Sequence, residues 1–434
     1  MDKPFRDWNV DEVWLFPPSI EEFVPEGHLA NLVRDTVRNT LDLSAILDEY
    51  QEARGFPPFH PAMMTALLLY SYCTGIYSSR RISRACEERI DFMAVTAMQK
   101  PDFRTISEFR RRHLASLSGL FLQVLNLCRR AGLVKLGHVA LDGTKIKANA
   151  SKHRAMSYKR MKEKEPILAA EVAEWMAKAK AIDGEEDGRF GADKRGDEMP
   201  EWVASKSKRV EKMRAAMAEL EAEARAEAKS KAEKEGKSTQ SKDVRNAKPG
   251  DKAQKNFTDP ESRIMKTADG FIQGYNCQAA VDSKNQIIVA QSVSNEANDK
   301  RQLIPMVDMI KTNCGQQAKE ISADSGYCSE ANLKSLSQRN TKGYIATGRQ
   351  RHDEASATGS LGGPHVQAMT TKLRRGGHRS RYRMRKILPE PVFGQIKQGR
   401  GFRQFLMRGA EKVAGEWALI ATAHNFLKFA GAQA

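Results

Sequence analysis

At His138 the hydrophobic rhythm of the chain changes, and no other feature limits its possible folds as much. In GHVALDGTKIKANAS, Val139 and Leu141, then Lys145, Ile146 and Lys147, alternate as residues of a strand do. The alternation of strands with helices resumes only after about residue 256. NCQAAVD and QIIVAQSVS predict two strands joined through the turn residues 282–285. RQLIPMVDMIK predicts a helix, EISADSGY a strand ending in a turn, SEANLKSLSQ a helix, GYIATG a strand and ILPEPVFGQIK a last helix. A chain that begins a strand, breaks off and resumes in alternation has to build a mixed α/β sheet across an insertion.

The insertion, residues 155–256, is rich in Ala, Lys and Glu. Val210, Met213, Met217, Leu220 and Ala224 recur in steps of three and four, a short coiled-coil-like seam. An earlier helix carries Val172, Trp175 and Met176, and the Gly- and Asp-rich GEEDGRFGADKRGDEMP separates the two. Residues 234–256 predict a solvated linker. The segment is expected to be a helical hairpin inserted into a domain. Residues 1–135 predict helices instead. HPAMMTALLLYSYCTG places Pro61 near a helix start and Gly75 near its stop, and in RTISEFRRRHLASLSGLFLQVLNLCRR the residues Ile106, Phe109, Leu114, Leu117, Phe121 and Leu125 share a face. Arg110 and Arg111 stand in an arginine run that suits a helix-turn-helix-like DNA-binding module, and a bundle that only braces a core would carry the same pattern.

The formal net charge of +17 predicts a polyanionic partner, nucleic acid above all. Forty per cent hydrophobic residues suffice for a buried core, which excludes a wholly disordered chain. The six cysteines form no C-x-x-C pair and lack zinc-ligand spacing to histidine, as expected of reduced thiols in a cytoplasm. MDKPFRDWNVDEVW has no apolar signal core, and no apolar run spans a membrane.

Three carboxylates fall where such a sheet would gather chemistry. Asp142 sits inside the first strand, which disfavours aspartate; Asp324 ends the strand of ISADSGY; Glu390 lies on the last helix. Each has a plainer reading, as turn former, helix cap or surface ion-pair member. Together they supply the hard oxygens that two Mg²⁺ ions about 4 Å apart require, with Mn²⁺ able to substitute. Lys386, Glu390 and Lys397 share one helical face, leaving Val392, Phe393 and Ile396 for the core. Just upstream, residues 372–386 hold eight Lys or Arg and no acid, a candidate track for a nucleic-acid backbone.

PDFRTISEFRRRH, ALDGTKIKANAS, ADSGY and YRMRKILPEPVFGQIK…GFRQFLMRG…EW together resemble bacterial insertion-sequence transposases with a DDE catalytic core, over nearly the whole chain. The resemblance implies an N-terminal helical domain at 1–135 and, at 136–430, an RNase H-like catalytic domain with a mixed five-stranded sheet, which the order of predicted elements also suggests. It implies an acidic triad of Asp142, Asp324 and Glu390. The broader superfamily places Tyr, Arg, Glu and Lys at intervals of two, three and six residues. Counted from Glu390, Lys397 matches; Lys386 stands in the Arg place and Arg383 in the Tyr place, with Tyr382 adjacent. Lys145, Tyr382, Arg383, Arg385, Lys386, Lys397, Arg403 and Arg408, with Arg110 and Arg111, are the expected DNA contacts. The implied activity is cleavage at element ends and transfer into target DNA, by a homodimer working on terminal inverted repeats in the cytoplasm, nucleoid-associated when acting. A nuclease that cuts without joining and an inactive DNA-binding protein are the alternatives.

Overall fold

The computed structural model describes residues 19–50, 57–190, 201–234, 236–267, 270–348 and 362–433. The N-terminal residues expected to lack a signal, part of the hairpin spacer (191–200) and part of the basic loop ahead of the last helices (349–361) lie outside them.

Strand β1, His138–Lys147, is the centre of the sheet. It pairs antiparallel with β3, Gly270–Asp282, from Val139↔Asp282 to Lys147↔Gly274. On its other side it pairs parallel with β5, Glu320–Ala323, through His138↔Glu320, Val139↔Ile321 and Ala140↔Ser322. Beyond β5 lies β6, Lys342–Ile345, again parallel. The long β3 carries two further antiparallel partners: β4, Ile288–Ser294, along its second half, and β2, Arg263–Thr267, along its first. The sheet thus has six strands, in the order β2-β3-β1-β5-β6, with β4 pairing the second half of β3 beside that path. It is a mixed sheet whose first strand runs antiparallel to one neighbour and parallel to the other. Strand β2 goes beyond the sequence expectation. Its five residues, RIMKT, alternate too briefly to stand out from the basic stretch around them.

The N-terminal residues fold as helices: α1 Leu29–Asn39, α2 Pro61–Cys73, α3 Ser79–Glu88, α4 Ile90–Thr96, α5 Phe103–Arg112 and α6 Leu114–Arg130. Pro61 opens α2, whose His60 side chain accepts from the Ala62 N–H, and Asp102 caps α5 by accepting from Arg104 and Thr105. These helices share one continuous apolar core with the sheet. The join is a helix absent from the expectation, α13, Ala410–Ala430. Its apolar residues surround it on all sides, so no stripe of period 3.6 announces it. It packs between α2 and α6 on one side and β4 on the other. Cys73 and Cys128 point their thiols at the Ala423 and Asn425 carbonyls, and Asn425 bonds both the N–H and the carbonyl of Ile288.

Between β1 and β2 the chain forms two long helices, α7 Tyr158–Phe190 and α8 Glu201–Lys234. Arg214–Glu165 (2.6 Å) and Lys206–Glu171 (2.5 Å) make them antiparallel. They enclose a second, separate core of Met156, Tyr158, Met161, Met213, Ala216 and Leu220. Residues 234–256 do not run as an open linker: Lys242–Arg245 makes a helical turn, and Gln254–Asn256 pairs with Ala155–Ser157. Helices α9 Leu303–Cys314 and α10 Glu330–Gln338 follow β4 and β5; α11 Pro364–Gly376 and α12 Pro389–Gly394 follow β6.

Candidate active site

The sheet brings two of the three expected carboxylates side by side. Strand β5 ends at Ala323, and its parallel register with β1 is Ala140↔Ser322. Continued by two residues, that register sets Asp324 next to Asp142, on strands about 4.8 Å apart. Each carboxylate is fixed by its own backbone. Asp142 Oδ1 accepts from the Gly143 N–H at 2.9 Å, and Asp324 Oδ1 accepts from the Gly326 N–H at 2.8 Å, capping the turn Ser325–Tyr327. The capping role foreseen for Asp324 and its place in the site are thus compatible.

Burial and neighbouring negative charge raise both groups. The Asp142 carboxyl is pushed up to about 7, chiefly by burial, then by Asp324 and Asp299, against the Gly143 N–H and Arg385. Asp324 is raised by burial and by Asp299, with the Gly326 N–H and Arg385 opposing. Arg385 is the cation common to both. Its guanidinium lies 3.9 Å from Glu390 Oε1 and 6.0 Å from the centre of the Tyr382 ring, and its Nε is buried without a hydrogen-bond partner.

Glu390 stands in the first turn of α12, after Pro389, beside Arg385, and half of its side chain is exposed. The helix expected to carry Lys386, Glu390 and Lys397 on one face, and to start or kink at the prolines flanking Glu390, is built as three pieces. Met384–Ile387 makes one turn, Leu388 breaks it, α12 begins at Pro389, and Gln395–Gly399 widens into a π-turn. Proline supplies no N–H and clashes with the preceding turn, so the break falls where Pro389 stands. Val392, Phe393 and Ile396 are buried, as their helical phase predicts. The break also accounts for the spacing departure noted above. Tyr382 and Arg385 keep the two-residue interval, and the extra residue lies between Arg385 and Glu390. Arg385, not Lys386, is therefore the cation beside the glutamate.

The other expected DNA contacts separate into groups. Arg383 and Lys386 are exposed beside the site. Lys397 donates to the Lys145 carbonyl (2.9 Å) and Lys145 to that of Lys266 (3.0 Å). Arg403 is exposed on the segment that lies along the end of β1, where the Lys147 N–H meets the Arg403 carbonyl at 3.2 Å, and exposed Arg408 donates to Asn149. Arg111 is exposed and paired with Glu108. Arg110 has a different role: it is 4% exposed and donates to the Tyr77 carbonyl, Ser79 Oγ and the Tyr72 hydroxyl. That correction follows from helical phase, since Ile106 and Phe109 draw Arg110 onto the buried face of α5. In the basic track, Lys372 lies over the Tyr344 ring and donates to Gly343, and Arg381 pairs with Glu320, while Arg374, Arg375 and Arg379 are exposed.

The donor set is hard oxygen, and Asp142 and Asp324 repel one another until a cation comes between them, so the chemistry suits Mg²⁺ or Mn²⁺. Among the described residues no three acidic, His or Cys side chains converge into a closed cage, and Glu390 faces Arg385. Sequence reasoning missed Asp299, whose carboxylate stands close to this pair. Lying in a polar loop, it carries no periodic signal.

Two families match the chain. Residues 18–112 match one described as a transposase domain, and residues 239–426 one described as a transposase DDE domain. The second contains Asp324 and Glu390; Asp142 lies in the interval between the two. No curated protein and no solved structure matches.

Proposed function

We propose, since the chain belongs to the DDE transposases of insertion sequences, that it is a Mg²⁺-dependent enzyme that cuts DNA at element ends and joins the freed 3′ ends to target DNA. Its sheet is then an RNase H-like core, and Asp142, Asp324 and Glu390 its acidic triad. The observation that carries this reading is the register of β1 and β5, which sets two partly buried aspartates side by side at a strand end. Asp142 and Asp324 would hold the divalent cation, with Glu390 completing the set. When bound, the metal activates the attacking hydroxyl and relieves charge on the leaving oxygen.

The chain's own side chains do the rest. Asp142 shares its site with a like charge and a raised affinity for protons, so it favours the charged form only when a cation is near. Arg385 offers a fork of donors suited to a phosphate, stacked on Tyr382 and free to exchange Glu390 for DNA. Lys145, Lys397, Arg403 and Arg408 line the far end of β1. Arg374, Arg375, Arg379, Arg383 and Lys386 grip the backbone on approach. Two chains, one on each terminal repeat, would meet the geometric need to hold both ends together.

Strand transfer tests this directly, with labelled element-end DNA, a target plasmid and Mg²⁺. Joined product from the wild type, and none from Asp142→Ala, Asp324→Ala or Glu390→Ala with DNA binding retained, is the expected result. Cutting without joining would replace transposition with nuclease action, and binding without either reaction would leave only a DNA-binding protein.

A further inference from the structure

On the opposite face of β1 from Asp142, a third aspartate is held in place by buried polar side chains. Asp299 lies in the loop between β4 and α9. Its Oδ1 accepts from Asn276 Nδ2 at 2.7 Å and from Gln278 Nε2 at 2.6 Å. Both amides project from β3, and both residues are 1% exposed. Gln278 is itself anchored by the hydroxyl of buried Tyr327, which donates to its Oε1. Three buried side chains thus hold one carboxylate in a single orientation.

That orientation explains two glycines. A Cβ on Gly143 would lie 2.9 Å from Asp299 Oδ1 and 2.6 Å from Gln278 Nε2. A Cβ on Gly326 would lie 3.2 Å from Asp299 Oδ2 and 2.9 Å from Asp324 Oδ1. Asp299 therefore fills the space left where a side chain is missing next to Asp142 and two residues beyond Asp324. Successive residues of a strand face opposite ways, so Asp142 points away from this carboxylate across the β1 backbone. With two donors on Oδ1 and the β1 backbone between it and Asp142, Asp299 stands behind Asp142, while its Oδ2 and Asp324 Oδ1 border the same space at Gly326.

We propose that Asp299 is a positioning residue of the acidic site, a fixed negative charge close to Asp142 and Asp324 that strengthens their hold on a divalent cation. The inference rests on reading those two aspartates as a metal site. Its physical basis is the slow decay of charge–charge interaction in a partly buried setting. The negative charge of Asp299 acts on both aspartates, to different extents, and favours any cation beside them, whether a proton or a metal ion.

The test is a titration of the full-length protein with Mn²⁺ in the absence of DNA, with free Mn²⁺ followed by electron paramagnetic resonance. Asp299→Asn keeps a carbonyl oxygen for Asn276 and Gln278 and removes the charge, and Asp299→Ser is a smaller second variant. Both are expected to bind Mn²⁺ about tenfold more weakly, the low end of what groups around metal ligands contribute. Cleavage of element-end DNA by either variant is then restored by raising Mn²⁺. Asp142→Asn and Asp324→Asn are expected to lose tight Mn²⁺ binding, with no restoration. If those two lose it while Asp299→Asn binds as the wild type does, this inference is overturned and the site reading stands. If none of the variants alters Mn²⁺ binding, the site reading fails as well. Failure of both Asp299 variants to fold, or inactivity that added Mn²⁺ does not relieve, would assign Asp299 to the scaffold and overturn the proposal.

Discussion

Asp142 and Arg110 show how far a single residue can be understood before its neighbours are known. An aspartate inside a strand is an anomaly that sequence exposes at once, because nothing in strand propensity favours it. Its cost is measurable. With its carboxyl pushed up to about 7, folded Asp142 keeps a proton that the unfolded chain releases near pH 4. Stability in metal-free buffer therefore falls as pH rises from about 4 to 7 and levels off above. Asp142→Asn removes this term. In chelator, denaturant unfolding should find the variant about 2–4 kcal/mol more stable than the wild type at pH 8 and equal to it near pH 4. An equal difference at both pH values would refute the burial argument. Arg110 was harder to place, since within an arginine run only helical phase tells the buried member from the exposed ones. Its loss leaves Glu416, buried and under its influence, without that compensation. Arg110→Ala should cost roughly 3 kcal/mol, and Arg111→Ala close to nothing, in the same unfolding experiment. Asp299 left no trace in the sequence, because its meaning comes from Asn276, Gln278 and two distant glycines.

Among the elements, those with a clear period were legible and those without were not. β1, β3, β5 and α9 stand out as apolar or alternating runs between turn residues, although burial along β3 and β5 is continuous, and Pro61 and Pro389 mark the helix starts they were expected to mark. α13 escaped notice because it is buried all round, and β2 because five alternating residues are too few. The seam of α8 was legible, but its partner surface was not: Met213 and Leu220 pack against Met156 and Met161 at the root of α7. That core is separate from the main one, so its stability should be separable too. Met213→Ala is expected to cost about 2–4 kcal/mol within the hairpin. Hydrogen exchange should then speed up across residues 158–171 and 204–223 while amides of β1 and β3 keep their protection. Uniform loss of protection would show instead that hairpin and sheet unfold as one unit.

At the scale of the whole molecule, the excess of positive charge is the oldest clue and the one most in need of a location. A charge of +17 suits a polyanionic partner, without saying which surface would meet it. The fold narrows the choice. Arg110 is inside, Lys372 and Arg381 are engaged with Tyr344 and Glu320, and many hairpin cations sit opposite glutamates. Arg374, Arg375 and Arg379 remain exposed on the chain that leads to Arg385 and the acidic pair. If this is the path of the DNA, each of these arginines displaces about one condensed counterion, and each contributes about 0.9 to the slope of log affinity against log salt. Replacing all three with glutamine should flatten that slope by between 2 and 3, to a similar degree on element-end and unrelated duplexes, because phosphate contacts carry no sequence information. The equivalent triple change on the hairpin, at Lys208, Arg209 and Lys212, should leave the slope nearly unchanged. A reversal of the two results would place the DNA on the inserted hairpin and make that insertion, not the track beside Glu390, the surface that receives the backbone.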